Sequence, residues 1–232
     1  MEDTRTAVVT GGSRGLGRAL AVGLAGRGWR VVVDGRDGAA LGPLADVVGI
    51  TIVPGDVTDA GHRATLVEVA RGLSGRLDLL VNNASTLGPS PLPALAHFPL
   101  ERLRAVYETN VLGPLGLIQL ALPLLRVAGG AVVDVTSDAA VEAYPGWGGY
   151  GSSKAALEQL SRVLAVEEPD LGVWWLDPGD MRTQMHQEAF PGEDISDRPL
   201  PEDVVPALLH LLDRRPPSGR VVAAELLAGA DR

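Results

Sequence analysis

Short β-branched runs alternate with longer helical patterns from one end of the chain to the other, and the first run opens directly into a glycine-rich turn. Residues 7–10, 31–34, 51–53, 77–81, 131–135, 173–176 and 221–224 read as strands. Several are apolar at every position, which suits parallel strands covered by helices on both faces. Helical patterns fill the intervals at 16–27, 60–73, 100–125 (with an early break), 150–166 and 201–212. This alternation specifies an α/β, Rossmann-type doubly wound sheet of about seven mostly parallel strands. Residues 181–199 break the pattern. They are polar and acidic, contain Gly192 and end at Pro199, and they read as a flap of loop and short helix over a substrate site.

At 232 residues the chain is expected to form a single domain over 1–232 with room for a substantial core. A net charge of −9 argues against nucleic acid or an anionic membrane as partner, so any anionic ligand needs a local basic site. With no cysteine, disulfides and thiolate chemistry are excluded. His62, His97, His186 and His210 are scattered without metal-ligand spacing, and no metal site is expected. The acidic start Met1-Glu2-Asp3 carries no secretory pattern, and the apolar stretch before Leu125 is broken by Gly113, Pro114, Gly116 and Pro123, so a cytoplasmic location is expected.

Thr10-Gly11-Gly12-Ser13-Arg14-Gly15-Leu16-Gly17 joins the first strand to the first helix. Glycines there permit a tight turn and close approach of backbone to a pyrophosphate, and the helix N-terminus adds donors and partial positive charge. A second constellation lies at Tyr150-Gly151-Ser152-Ser153-Lys154. Arginine fills nineteen of the twenty basic positions, and the single lysine is Lys154. A compact ammonium and a planar guanidinium are not interchangeable beside a phenol. Four residues apart on a predicted helix, Tyr150 and Lys154 share a face. For the phenol to act near neutral pH its pKa must fall by about 3 units, roughly 4 kcal/mol in favour of phenolate, and an adjacent ammonium supplies part of that.

The T-G-x-x-x-G-x-G spacing together with Tyr150-x-x-x-Lys154 resembles the short-chain dehydrogenase/reductase family, over nearly the whole chain. Asp56-Val57, Asn82-Asn83-Ala84, Asn110, Ser137 and Pro178-Gly179 followed by Thr183 match in the same order. The resemblance implies an NAD(P)-dependent enzyme. Catalysis would rest on Asn110, Ser137, Tyr150 and Lys154, with Ser137 holding the substrate oxygen and Asn110 a water that leads to Lys154. Cofactor contacts would come from Gly11, Ser13, Arg14, Gly15, Leu16, Gly17, Asp34, Arg36, Asp56, Val57, Asn83, Ala84, Tyr150, Lys154, Pro178, Gly179 and Thr183, the last reaching the carboxamide or a phosphate. In NAD-using members an acid that binds the ribose falls at Gly35. Here Arg36 follows, and with Arg14 it could grip a 2′-phosphate, so NADPH is favoured and NADH remains open through Asp34.

Tyr144, Trp147, Met181, Met185 and Phe190 are expected around an apolar or ring-shaped substrate. The expected partners are a small carbonyl or alcohol substrate and a second copy of the chain, as a dimer or tetramer. Two departures from the family stand out. Ser85 occupies the place of the glycine in Asn-Asn-Ala-Gly, and the C-terminal tail is short. The resulting reading is a carbonyl reductase or alcohol dehydrogenase. The other readings are a nucleotide-binding sensor without turnover and, on the same fold, an epimerase or dehydratase.

Overall fold

The computed structural model describes residues 4–230. Its strands are β1 (Thr6–Val9), β2 (Arg30–Gly35), β3 (Ile50–Pro54), β4 (Leu79–Asn82), β5 (Ala131–Val135), β6 (Gly172–Asp177) and β7 (Gly219–Val222). They form one sheet in the order β3-β2-β1-β4-β5-β6-β7, and every pairing is parallel. The helices are α1 (Gly15–Gly26), α2 (Gly38–Leu41), α3 (Ala60–Ser74), α4 (Leu100–Tyr107), α5 (Gly113–Ala128), α6 (Gly148–Glu167), α7 (Gln184–Ala189), α8 (Val205–Arg214) and α9 (Ala223–Ala230).

Side chains alternate across the strands, so each strand feeds two cores. Val31 and Val33 join Leu16, Leu20 and Leu24 of α1 and Leu208 and Leu211 of α8 on one face. Val32 joins Leu66 of α3 and Leu117, Ala121 and Leu125 of α5 on the other. The strand order reverses between β1 and β4, which opens a crevice at the carboxyl ends of the strands, the usual ligand position in such sheets.

Two strand boundaries and one short helix stand apart from the sequence reading. β4 begins at Leu79, because the preceding Asp78 is engaged with Thr6, donating its N–H to the Thr6 carbonyl and accepting the Thr6 N–H on its carboxylate. β7 ends at Val222, opposite Asp177 where β6 ends, and the Ala- and Leu-rich continuation becomes α9. α2 was not foreseen; Asp37 caps it by accepting from the Ala39 and Ala40 N–H groups.

The early break in 100–125 is a π-helical segment, Glu108–Leu112, between α4 and α5. Pro114 has no N–H to offer the carbonyl of Asn110 four residues back, so the regular ladder fails there. The run Leu100–Ala128 is long and apolar enough to cross a membrane. In this fold it buries Val106, Leu117, Ile118, Ala121, Leu124 and Leu125 in the protein interior.

Candidate active site

A cleft of about 1450 Å³ runs along the carboxyl edge of the sheet, from the glycine turn past Tyr150 to α7. That exceeds the ~300–1,000 Å³ of a pocket for one small ligand and leaves room for a dinucleotide beside a substrate. The glycine turn is held from behind. Gly11 has φ +68, and a Cβ there would stand 2.8 Å from Ala84 Cα. The Asn83 amide donates to the carbonyls of Thr10 (2.8 Å) and Gly11 (3.2 Å), and Thr10 Oγ1 accepts from the N–H groups of Asn83 and Ala84. This leaves the N-terminus of α1, from Gly15, facing the cleft.

All the residues assigned to a cofactor but Gly17 line this cleft, and of the catalytic set Asn110 does not. Gly17 packs behind the turn, where a Cβ would lie 2.4 Å from Asn83 Nδ2. Asn110 is fully buried behind the wall. Asp34 departs from the ribose role considered for it. It follows Val32 onto the α3 face of the sheet, is 1 % exposed, and accepts from the Gly11 N–H (2.6 Å) and pairs with His62 Nε2 (3.0 Å). Strand alternation is the reason, since position 34 shares the α3 face with Val32 while position 35 shares the α1 face with Val33. Thr183 lines the cleft, and its hydroxyl accepts the His186 N–H as the cap of α7. Arg14 donates to Gln184 of α7, tying the glycine turn to the segment 181–199.

Tyr150 and Lys154 stand on one face of α6 against the end of β5. Lys154 is 1 % exposed, donates to the Val135 carbonyl at 2.7 Å, and lies 5.6 Å from the Tyr150 ring centre. Burial lowers its pKa to about 8, against the opposing pull of the Asp134 carboxylate. The phenol of Tyr150 moves the other way from the sequence expectation. Burial, then the charge of Asp177, push it well above the ordinary tyrosine value, with the hydroxyls of Ser85 and Ser137 pulling back. A desolvated group surrounded by carboxylates resists acquiring negative charge, so in the protein alone this tyrosine is a firmly protonated acid.

Ser137 Oγ donates to Asp138 Oδ1 (2.8 Å) and accepts the Ala139 N–H (3.1 Å), so the hydroxyl is aligned beside Tyr150 at the strand end. The Asn110 side chain is fully engaged within the protein. Its amide donates to the Thr86 carbonyl and Ser153 Oγ, both at 2.9 Å, and its oxygen accepts from the Thr86 N–H (2.9 Å) and Ser85 Oγ (3.2 Å). Asn110 thus ties the loop after β4 to α6, one residue before the lysine. Asn110→Ala would strand these buried partners at a cost of about 3 kcal/mol, a fall in Tm of roughly 6–12 °C by calorimetry. An unchanged Tm would disprove this anchoring.

All five residues expected around the substrate line the cleft. Trp147 meets Tyr150 edge-on at 5.7 Å and Phe190 at 5.9 Å; with Met185, Leu87 and Ala189 they form an apolar cluster beside the phenol. Met181 instead packs on the α1-side core, and Tyr144 donates to Asp138 Oδ2 at 2.9 Å. His186, to which no role was given, stacks on Phe190 at 4.9 Å.

Three residues at the site were given no place in it by the sequence reading. The departure from the family's glycine signalled Ser85, now beside Tyr150. Asp177 was signalled only by its place before Pro178-Gly179. Arg220, 43 residues further along, carried no signal; its guanidinium meets Asp177 at 2.7 Å.

The model of the short chain dehydrogenase family matches residues 5–194. The chain belongs to that family. It is 33 % identical over 187 residues to L-fucose dehydrogenase of Rattus norvegicus, covering 79 % of this chain and 68 % of that one. It is 38 % identical over 173 residues to the rhamnolipids biosynthesis 3-oxoacyl-[acyl-carrier-protein] reductase of Pseudomonas aeruginosa, covering 70 % and 66 %. These matches thus span about two thirds of the relatives' length. A short chain dehydrogenase of Shigella flexneri 2a str. 301, solved in complex with NADP, superposes with a TM-score of 0.88 at 29 % identity, covering 97 % of this chain and all of that one. This short chain dehydrogenase is accordingly an NAD(P)-dependent oxidoreductase acting on a small molecule.

Proposed function

We propose that this enzyme is an NADPH-dependent carbonyl reductase, running in reverse as an alcohol dehydrogenase, with Asn110, Ser137, Tyr150 and Lys154 as its working set. The observation that carries the reading is the convergence of the Tyr150 and Ser137 hydroxyls on one apolar pocket, with Lys154 buried directly behind. The cleft fits a dinucleotide. The glycine turn packs so closely on Asn83 and Ala84 that no Cβ fits at Gly11, and the donors at the start of α1 face the cleft. When bound, the nicotinamide supplies hydride to the ketone or aldehyde carbon.

The protein's part is the proton. Tyr150 gives its hydroxyl proton to the carbonyl oxygen and becomes phenolate; the product is the alcohol. Ser137 turns its hydroxyl from Asp138 to that oxygen and stabilises the charge developing there. Lys154, with a pKa of about 8, is a cation beside the phenolate and close enough to neutral to help return the proton. In the oxidative direction each step reverses. Trp147 excludes water together with Met185 and Phe190 of the segment 181–199, a flap tied to the glycine turn by the Arg14–Gln184 hydrogen bond.

The preference for NADPH rests on position 35. A Cβ at Gly35 would lie 3.0 Å from the Ser13 Cβ, so a ribose-binding acid is sterically disfavoured, while Ser13 and exposed Arg36 border that end of the cleft. The Shigella relative solved with NADP supports the same choice. Arg36→Asp is expected to raise the KM for NADPH by about tenfold or more while barely changing that for NADH, because it removes a charge-assisted clamp on the 2′-phosphate. Equal effects on both cofactors would refute the clamp. The function itself is tested by following NADPH oxidation over a panel of ketones, quinones, aldehydes and sugars, with Tyr150→Phe alongside.

A further inference from the structure

Arg220 stands in β7, opposite Trp175 of β6, and reaches toward the cleft with only 23 % of its side chain exposed. Its Nη2 donates to Asp177 Oδ2 (2.7 Å) and to the Ser137 carbonyl (3.3 Å), and its Nε donates to Glu158 Oε1 (3.1 Å). The three acceptors belong to three different walls. Ser137 follows β5 by two residues and carries the hydroxyl beside Tyr150. Asp177 ends β6 and accepts the Gly179 N–H at 3.0 Å, fixing the Pro178-Gly179 turn. Glu158 lies one helical turn after Lys154 on α6 and also accepts from Thr136 Oγ1 at 2.9 Å.

We propose that Arg220 is a positioning residue for the reaction, one guanidinium holding the serine strand, the Pro178-Gly179 turn and the lysine helix in mutual register. The proposal rests on the reductase reading and adds to it a residue that touches neither substrate nor cofactor. Glu158 and Asp177 are 2 % and 8 % exposed, so two buried carboxylates converge on one cation. Among the described residues the other cation on them is Arg162, 3.4 Å from Glu158 and half exposed. A lysine cannot replace Arg220, because its single nitrogen cannot reach acceptors spread around a planar fork.

The same geometry reaches Tyr150. The charged groups acting on the phenol are Asp177 and Asp138, with Lys154 at 5.6 Å and the hydroxyls of Ser85 and Ser137. Arg220 is the guanidinium that balances Asp177. Without it the phenol faces an unopposed carboxylate and holds its proton to higher pH.

The experiment compares wild type, Arg220→Gln and Arg220→Lys by calorimetric NADPH titration and by the pH profile of alcohol oxidation, each normalised to folded protein by circular dichroism. The lysine variant keeps the charge and guards against a misfolded glutamine variant. Both substitutions are expected to weaken NADPH binding about tenfold, through the loosened Pro178-Gly179 turn, and to lower kcat. The rising limb of the profile should move up by about one pH unit in Arg220→Gln and by less in Arg220→Lys. A merely structural role would lower the folded fraction and leave the limb and the NADPH Kd in place, and that result would overturn the proposal. A wild type that neither binds NADPH nor turns over would sink the reductase reading, and the proposal with it; a wild type that does both while the variants match it would sink the proposal alone.

Discussion

Tyr150→Phe is expected to keep NADPH binding and to lose carbonyl reduction by a factor of about 10² to 10⁴, the range for removing a positioned proton donor. The variant retains every contact of the ring. Phenylalanine still packs edge-on to Trp147 and beside the Lys154 stem, and only the hydroxyl between Ser85 and Ser137 is gone. Binding and chemistry should therefore separate cleanly. The pH behaviour of the wild type follows from the same surroundings. With the phenol held above its ordinary value by burial and Asp177, the reductive reaction should stay near its plateau from neutral pH into the alkaline range. The oxidative reaction, which needs phenolate, should keep rising with pH over that interval. Steady-state rates in both directions, wild type against variant, check both points. Turnover that survives in Tyr150→Phe would move the proton to another group. NADPH binding without turnover in the wild type would favour a nucleotide-binding sensor.

What could be read from the sequence divides along physical lines. Apolar runs such as Val31-Val32-Val33 announce buried parallel strands, and the glycine turn announces the first β-to-α crossover, because both are local rules of backbone and period. Tyr150 and Lys154 were legible for the same reason, since helical spacing puts them on one face. Asp34 could have been placed by counting alternation from Val33. The direction of the Tyr150 shift was not legible, because it depends on burial and on Asp177, which reaches the phenol only through the order of β5 and β6. Arg220 was hidden for the same cause: its partners Asp177, Glu158 and Ser137 lie 43, 62 and 83 residues away, and only the sheet brings them together. Asn110 was recognised as an important position, but the hydrogen bonds that make it an anchor belong to Thr86 and Ser153, on elements that meet only in the folded chain.

Lys154 should make this protein more stable as the medium turns alkaline. Its pKa is 10.5 in an unfolded chain and about 8 in the fold, where burial outweighs the attraction of Asp134. Below pH 8 both states carry the charge, and the native state bears the whole desolvation penalty. From pH 8 upward the native chain sheds the proton while the unfolded chain still binds it, so the free energy of unfolding rises with pH, by about 2 to 3 kcal/mol up to pH 10. Beyond pH 10 the raised pKa of Tyr150 works in the opposite sense, because the unfolded phenol ionises first, and the gain levels off. Lys154→Met removes the buried cation and should abolish this rise. The thioether stem fills the same channel. Asp134 keeps its bonds from Asn82 and Ser161, both at 2.7 Å. The variant should also lose most turnover, since the phenolate loses its neighbouring charge. Lys154→Arg should do worse in stability, because a guanidinium that stays charged would bring several donors to a buried position where the Val135 carbonyl accepts one. Urea unfolding of wild type and Lys154→Met at intervals between pH 7 and 10 decides the matter. Parallel curves would assign the pH dependence to another group, whereas a rising wild-type curve over a flat variant would show that the fold holds a destabilising cation at the point where the reaction needs one.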